Sequence, residues 1–100
     1  MKPDENRRRT IRQDMIALLQ AEECRLRDIS QALHISEKEA RDHLAHIRRS
    51  LSASRQALII SPAECLACGF IFKGRQRLTR PGRCPECRRT RISMPRFHIT

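Results

Sequence analysis

Cys65-Leu66-Ala67-Cys68 and Cys84-Pro85-Glu86-Cys87, two C-x2-C pairs with fifteen residues (69–83) between them, decide how the second half of this chain folds. That spacing suits a structural zinc ion held by four cysteines. Tetrahedral Zn²⁺ at about 2.3 Å from each sulfur needs two thiolates per tight turn, and two intervening residues allow the turn. Gly69 follows the first pair and supplies the backbone freedom a knuckle needs, while Pro85 stiffens the second. The expected ligands are therefore Cys65, Cys68, Cys84 and Cys87, holding one Zn²⁺ per chain. With every coordination position filled by a thiolate, none is left for a catalytic water, so no enzyme activity is expected.

Two such knuckles on adjacent hairpins look like a zinc ribbon. Phe70-Ile71-Phe72 would leave the first knuckle as a strand, and Ile92-Ser93-Met94 and Phe97-His98-Ile99 could return beyond the second. Rubredoxins share the doubled C-x2-C but hold iron, and a basic half without Trp or Tyr does not look like one. Thioredoxin-type redox needs one C-x-x-C at a helix start in a larger α/β domain. None of His34, His43, His46 and His98 has ligand spacing with the Cys pairs, so all four are expected at the surface or in turns. Cys24 stands alone near the end of a helix, as a small semi-buried residue. Replacing Cys68 by Ser should unfold the ribbon and leave helix content largely intact; loss of both halves would mean one cooperative domain.

The chain of 100 residues is too short to enclose an enzyme-sized cleft as well as a core. Its 21 Lys and Arg against 11 Asp and Glu give a formal charge of +10, which favours a polyanion or an anionic surface as partner. No apolar run approaches the ~20 residues of a membrane span, and the start leads into no secretory signal. A reducing cytoplasm is the expected setting, where paired thiols point to metal rather than disulfides.

Charge is uneven. Residues 1–50 carry 11 basic and 9 acidic residues, whereas residues 51–100 carry 10 and 2. The fold class expected is α+β: an N-terminal three-helix, winged helix-turn-helix unit followed by a small β zinc ribbon. The boundaries are a flexible basic arm (1–9), a helical unit (10–60) and the ribbon (61–100). One mixed α+β domain is the alternative. Thr10 and Gln13 have capping-box spacing for a first helix carrying Ile11, Met15, Leu18 and Leu19 on one face. A second, short helix over Asp28 to Leu33 would bury Ile29 and Leu33, with Leu26 ahead as a staple. Ser36 as N-cap with Glu39 three residues on starts the third, whose stripe is Ala40, Leu44, Ile47 and Leu51. Ser52 to Gln56 link the modules, and Ala57-Leu58-Ile59-Ile60 reads as the strand that begins a wing.

The stretch Leu26-Arg27-Asp28-Ile29-Ser30-Gln31-Ala32-Leu33-His34-Ile35-Ser36 resembles the "LxxIAxxLGIS" run of prokaryotic winged-helix regulators. Arg27 stands where a Ser or Thr cap is usual, and His34 where Gly takes the left-handed turn, a conformation His tolerates. A purely structural three-helix bundle would use the same stripes. If the third helix reads DNA, Lys38, Asp42, Ala45 and Arg49 face outward, flanked by Arg41, Arg48, Glu39 and His46. Lys and Arg there could reach guanine edges or phosphates. The acids in the same turns also suit a merely solvated face, because early acids complement the helix dipole.

Arg75, Arg77 and Arg80 in the inter-knuckle loop, and Arg88 and Arg89 beyond the second knuckle, make the ribbon a candidate phosphate grip. Ordinary solubilising charge is the plainer reading. The whole arrangement is similar to a family of small prokaryotic predicted transcriptional regulators, a helix-turn-helix domain fused to a C-terminal zinc ribbon. The similarity runs from about Thr10 to Ile99 and includes Ser36-Glu37-Lys38-Glu39-Ala40 and Ser61-Pro62-Ala63-Glu64-Cys65. It implies a zinc-stabilised regulator bound to duplex DNA. RNA or ribonucleoprotein binding, docking on the transcription machinery, and a homodimer remain open.

Overall fold

The computed structural model describes residues 3–100, with side chains from residue 6 onward. Three helices, α1 (Pro3–Ala21), α2 (Leu26–Leu33) and α3 (Glu37–Leu51), precede two strands, β1 (Leu58–Ser61) and β2 (Arg96–Ile99). The fold is α+β, as expected.

The first helix starts at Pro3, not at Thr10. Proline in a first turn loses no hydrogen bond, and the arginines behind it are good helix formers. Thr10 caps nothing; its hydroxyl donates back to the Asn6 carbonyl at 3.0 Å, one turn earlier. From residue 3 the expected arm is therefore helix, and residues 1 and 2 lie outside the described residues.

Helix α2 begins at Leu26, which is buried in its first turn rather than standing ahead of it. The cap is Arg25, not Arg27: the Asp28 carboxylate accepts the Arg25 backbone N–H at 2.9 Å and its guanidinium at 3.1 Å. These bonds hold Asp28 below the usual carboxylate range. His34 ends the helix at φ 56, ψ 46, the left-handed conformation expected of it. Ser36 then caps α3, its hydroxyl accepting from the Glu39 N–H at 3.0 Å. The reciprocal half of the box is absent, because the Glu39 carboxylate takes the Ser36 hydroxyl at 3.4 Å instead.

Ala40, Leu44, Ile47 and Leu51 all face the core, against Met15, Leu19 and Ile29. His43, expected at the surface, is buried too, since it lies one turn from Ala40 and Ile47 on the same face. Arg12 of α1 donates to His43 Nδ1 and to His46 Nε2, both at 3.2 Å, and so ties α1 to α3. Burial, and then the Arg12 charge, push His43 below its usual pKa, which keeps it a neutral acceptor.

The two strands pair antiparallel, Leu58 opposite Ile99 and Ser61 opposite Arg96. Along β2, alternation turns Phe97 and Ile99 inward, where both join the helical core. Cys24 and Phe97 exchange backbone bonds of 2.9 and 2.7 Å, so residue 24 acts as a one-residue strand on the other edge of β2. Phe97-His98-Ile99 is thus not a returning strand of the ribbon. It closes the helical unit, and the ribbon emerges between β1 and β2 as an insertion. Glu23 fastens this closure: it accepts from the Ser61 hydroxyl and lies 3.8 Å from both Arg96 and His98.

Cys24 itself is fully buried rather than semi-buried. Desolvation first, then the charges of Glu22 and Asp28, carry its thiol up to about 11. No helix among the described residues is long and apolar enough to cross a membrane.

Candidate metal centre

The ribbon is held by turns more than by strands. Glu64 bridges Ile71, and Cys65 bridges Ile92, each as a single isolated pair. The strands expected over Phe70–Phe72 and Ile92–Met94 are reduced to these contacts.

The two knuckles repeat one pattern. In the first, the Gly69 N–H donates to the Cys65 carbonyl at 2.8 Å and the Cys65 N–H to the Phe70 carbonyl at 2.8 Å. In the second, Arg88 donates to Cys84 at 2.8 Å and Cys84 to Arg89 at 2.9 Å. Each loop closes on a residue of positive φ directly after its second cysteine, +83° at Gly69 and +63° at Arg88. Only the first is glycine, so the second knuckle carries the strain of a left-handed side-chain residue, about 1–2 kcal/mol. Gly69→Ala should cost about that much, since its added Cβ meets open space and backbone strain alone remains. Arg88→Gly should stabilise by up to about 1 kcal/mol, part of the relief being lost to the freer unfolded chain. Denaturant melts of the zinc-loaded protein check both signs.

All four sulfurs lie within 4.8 Å of one another. Across the knuckles, Cys65 and Cys87 are 3.5 Å apart, and Cys68 and Cys84 are 3.6 Å apart. A tetrahedron with zinc–sulfur bonds of about 2.3 Å has edges of about 3.8 Å, so the donor set fits. These distances are far beyond a disulfide bond. Without a cation, so crowded a set cannot all ionise together. The backbone N–H of Cys68 above all, helped by that of Ala67, pulls Cys65 down to about 6. At Cys68 the Phe70 N–H also lowers the pKa, but desolvation and the neighbouring sulfurs outweigh it and carry the thiol up to about 12. A doubly charged ion at the centre removes that repulsion. The four cysteines make a site for one zinc ion per chain.

The basic residues proposed from sequence divide into two groups. Lys38, Arg49, Arg77, Arg80, Arg88 and Arg89 are exposed. Arg48 and Arg75 are engaged inside the molecule: Arg48 donates to the Gln76 carbonyl, and Arg75 donates to the Thr79 carbonyl at 3.2 Å. Both brace the inter-knuckle loop instead of standing free for phosphate. Arg41 is half-buried, and Lys38, Arg41 and Arg80 line one groove between the start of α3 and the loop. Glu39 and Asp42 point elsewhere, into a crevice of about 430 Å³ shared with Arg7, Arg8 and Arg12 of α1. These two acids of α3 thus face cations of α1, while Glu37 lines the groove with Lys38 and Arg41. Leu78, the single large apolar residue of the arginine-rich loop, is buried in the helical core. That isolation was the signal by which it could have been found.

A helical unit closed by two strands that bracket a four-cysteine ribbon defines a two-module zinc protein. Residues 10–59 match the family described as PF0610-like, N-terminal, and residues 62–100 the PF0610 rubredoxin-like zinc beta-ribbon domain. The chain belongs to the PF0610-like family. It is similar to protein PF0610 from Pyrococcus furiosus, whose solution NMR structure shares 30% identity with it. That match covers 91% of this chain and 89% of the other, with a TM-score of 0.77. No curated protein matches the chain.

Proposed function

We propose that the protein is a non-enzymatic, zinc-stabilised regulator that binds duplex DNA, with α3 reading bases and the arginines of the ribbon holding phosphates. One observation carries this reading: Arg80 of the metal-held loop lines the same groove as Lys38 and Arg41 at the start of α3. A helix start that offers Lys and Arg suits base edges or phosphates in a major groove. The exposed ribbon arginines Arg77, Arg83, Arg89 and Arg91 take part in no salt bridge among the described residues. The saturated thiolate site, with no open position for water, supports a structural rather than a catalytic metal.

Titration of a fluorescent duplex at several salt concentrations tests it. Five to eight phosphate contacts should give a log–log slope of roughly −4 to −7, at about −0.9 per contact. Replacing Arg77, Arg80 and Arg89 together should flatten the slope and weaken all sequences alike, because phosphate contacts carry no sequence information. Arg75 is left out of that set, since its loss would loosen the loop. Replacing Lys38 or Arg41 should change discrimination between sites. Tighter binding to structured RNA than to duplex DNA, or a Lys38 and Arg41 pair without effect on selectivity, would turn the reading toward a ribonucleoprotein or a partner-docking module.

A further inference from the structure

A groove of about 590 Å³ lies where the start of α2, the start of α3 and the inter-knuckle loop meet. Arg27, Lys38, Arg41 and Arg80 line it, and among the described residues none of the four makes a salt bridge or a side-chain hydrogen bond. Arg25 adds a fifth cation, already held by Asp28, and among the described residues Glu37 is the only acid in the lining. Like charges gathered in a concave site repel one another and raise the local concentration of anions. Two helices begin at this groove, and their first turns add partial positive charge to it.

The third wall is fixed in place. Leu78 is buried in the helical core, Arg48 reaches across from α3 to the Gln76 carbonyl, and Arg75 holds Thr79. Thr79 and Arg80 are therefore held against the helices by a loop whose two ends are the zinc knuckles. No aromatic side chain lines the groove, and Phe70 and Phe72 pack on each other at 5.1 Å in a T-shape. A site without a stacking platform suits phosphate rather than unstacked bases.

We infer that this groove is a composite phosphate-binding site, built jointly by the helical unit and the ribbon, whose ligand is the sugar–phosphate backbone of a duplex. The inference rests on the nucleic-acid reading above and adds Arg27, which sequence alone marked only as an off-pattern helix start. One strand of backbone passes between Arg27 on α2 and Arg80 on the loop, which leaves Lys38 and Arg41 of the same lining to reach the adjoining bases.

Two measurements on the zinc-loaded full chain test it. With a duplex of arbitrary sequence, Arg27→Gln and Arg80→Gln should each shallow the salt slope by about 0.9, the value of one phosphate contact. Arg55→Gln, in the exposed segment after α3, should leave the slope near that of the unaltered protein. With inorganic pyrophosphate as probe, amide shifts in a nitrogen–proton NMR titration should concentrate at residues 25–28, 37–41 and 79–80, and vanish in the Arg27→Gln, Arg80→Gln double variant. Slopes for Arg27→Gln and Arg80→Gln no different from Arg55→Gln overturn the inference and leave DNA binding standing. Pyrophosphate shifts spread over Arg83, Arg89 and Arg91 overturn it as well. A chain that binds no duplex yet seats pyrophosphate in the groove overturns the duplex backbone as the ligand, together with the DNA reading, and leaves only a phosphate site.

Discussion

Stripping the zinc with a chelator, or replacing Cys84 by Ser, should melt the ribbon and also destabilise the helices by about 3–5 kcal/mol. Metal binding contributes roughly 10–16 kcal/mol of apparent folding free energy in small zinc domains, so the ribbon has little to hold it once the ion leaves. The effect on the helices follows from where the ribbon sits. Residues 62–95 separate β1 from β2, and β2 carries two core residues, Phe97 and Ile99. With the ribbon unfolded, β2 can still dock, but only by closing a flexible loop of about 34 residues, which costs about 3 kcal/mol by loop-closure entropy. Losing the anchored position of Leu78 adds up to about 2 kcal/mol. A melt followed by helical circular dichroism should move down by roughly 12–40 °C, at about 4–8 °C per kcal/mol for a unit of this size. This sharpens the expectation that Cys68→Ser leaves helix content largely intact: the helices remain, but melt earlier. Identical helix melts with and without zinc would sink the coupling.

Phe97→Ala should have the opposite selectivity. Phe97 is 0% exposed, sits in the core with Met15, Leu19 and Leu44, and pairs through its backbone with Cys24. Truncating a buried phenylalanine costs about 3–5 kcal/mol, a large share of the roughly 5–15 kcal/mol that holds a small domain together. Helix signal should therefore be lost at far lower temperature or denaturant. The four metal-binding cysteines lie outside the core cluster that holds Phe97, so cobalt substituted for zinc should keep its sulfur-to-metal absorption band after the helices have melted. Loss of that band in step with the helices would mean that the ribbon cannot stand without them.

The parts of this structure that could be read directly were those whose partners lie close in sequence. Two residues separate the cysteines within each knuckle, and two also separate Ser36 from Glu39, whose N–H it caps. The stripe from Ala40 to Leu51 repeats at each turn of one helix. His43 belonged to that same face, and its position between Ala40 and Ile47 was enough to bury it; the expectation that an unligated histidine lies outside overrode the geometry. The start of α1 was missed for another reason. An exposed helical turn of charged residues has no apolar stripe to declare it, and Pro3 reads equally as a breaker or as a first-turn residue.

The allegiance of β2 was hidden more deeply. Phe97 and Ile99 alternate as any half-buried strand does, and nothing local says which sheet they join. Their partners are Ile60 and Leu58, on the far side of the whole ribbon. Arg48 and Arg75 show the same blindness for side chains. Each looks like its exposed neighbours in sequence, and only the carbonyl it meets in space shows that it is engaged.

The position of β2 also sets an order of assembly. As the chain is made, the three helices are complete well before residues 96–99 exist, and N-terminal units ordinarily fold first. Here the helices must wait with an open seam where Phe97 and Ile99 belong, while the cysteines can already capture metal. The ribbon is then finished before the unit that precedes it. In a cell short of zinc the seam would stand open more often, since β2 must then close a long flexible loop to dock, and its apolar surface would invite proteolysis.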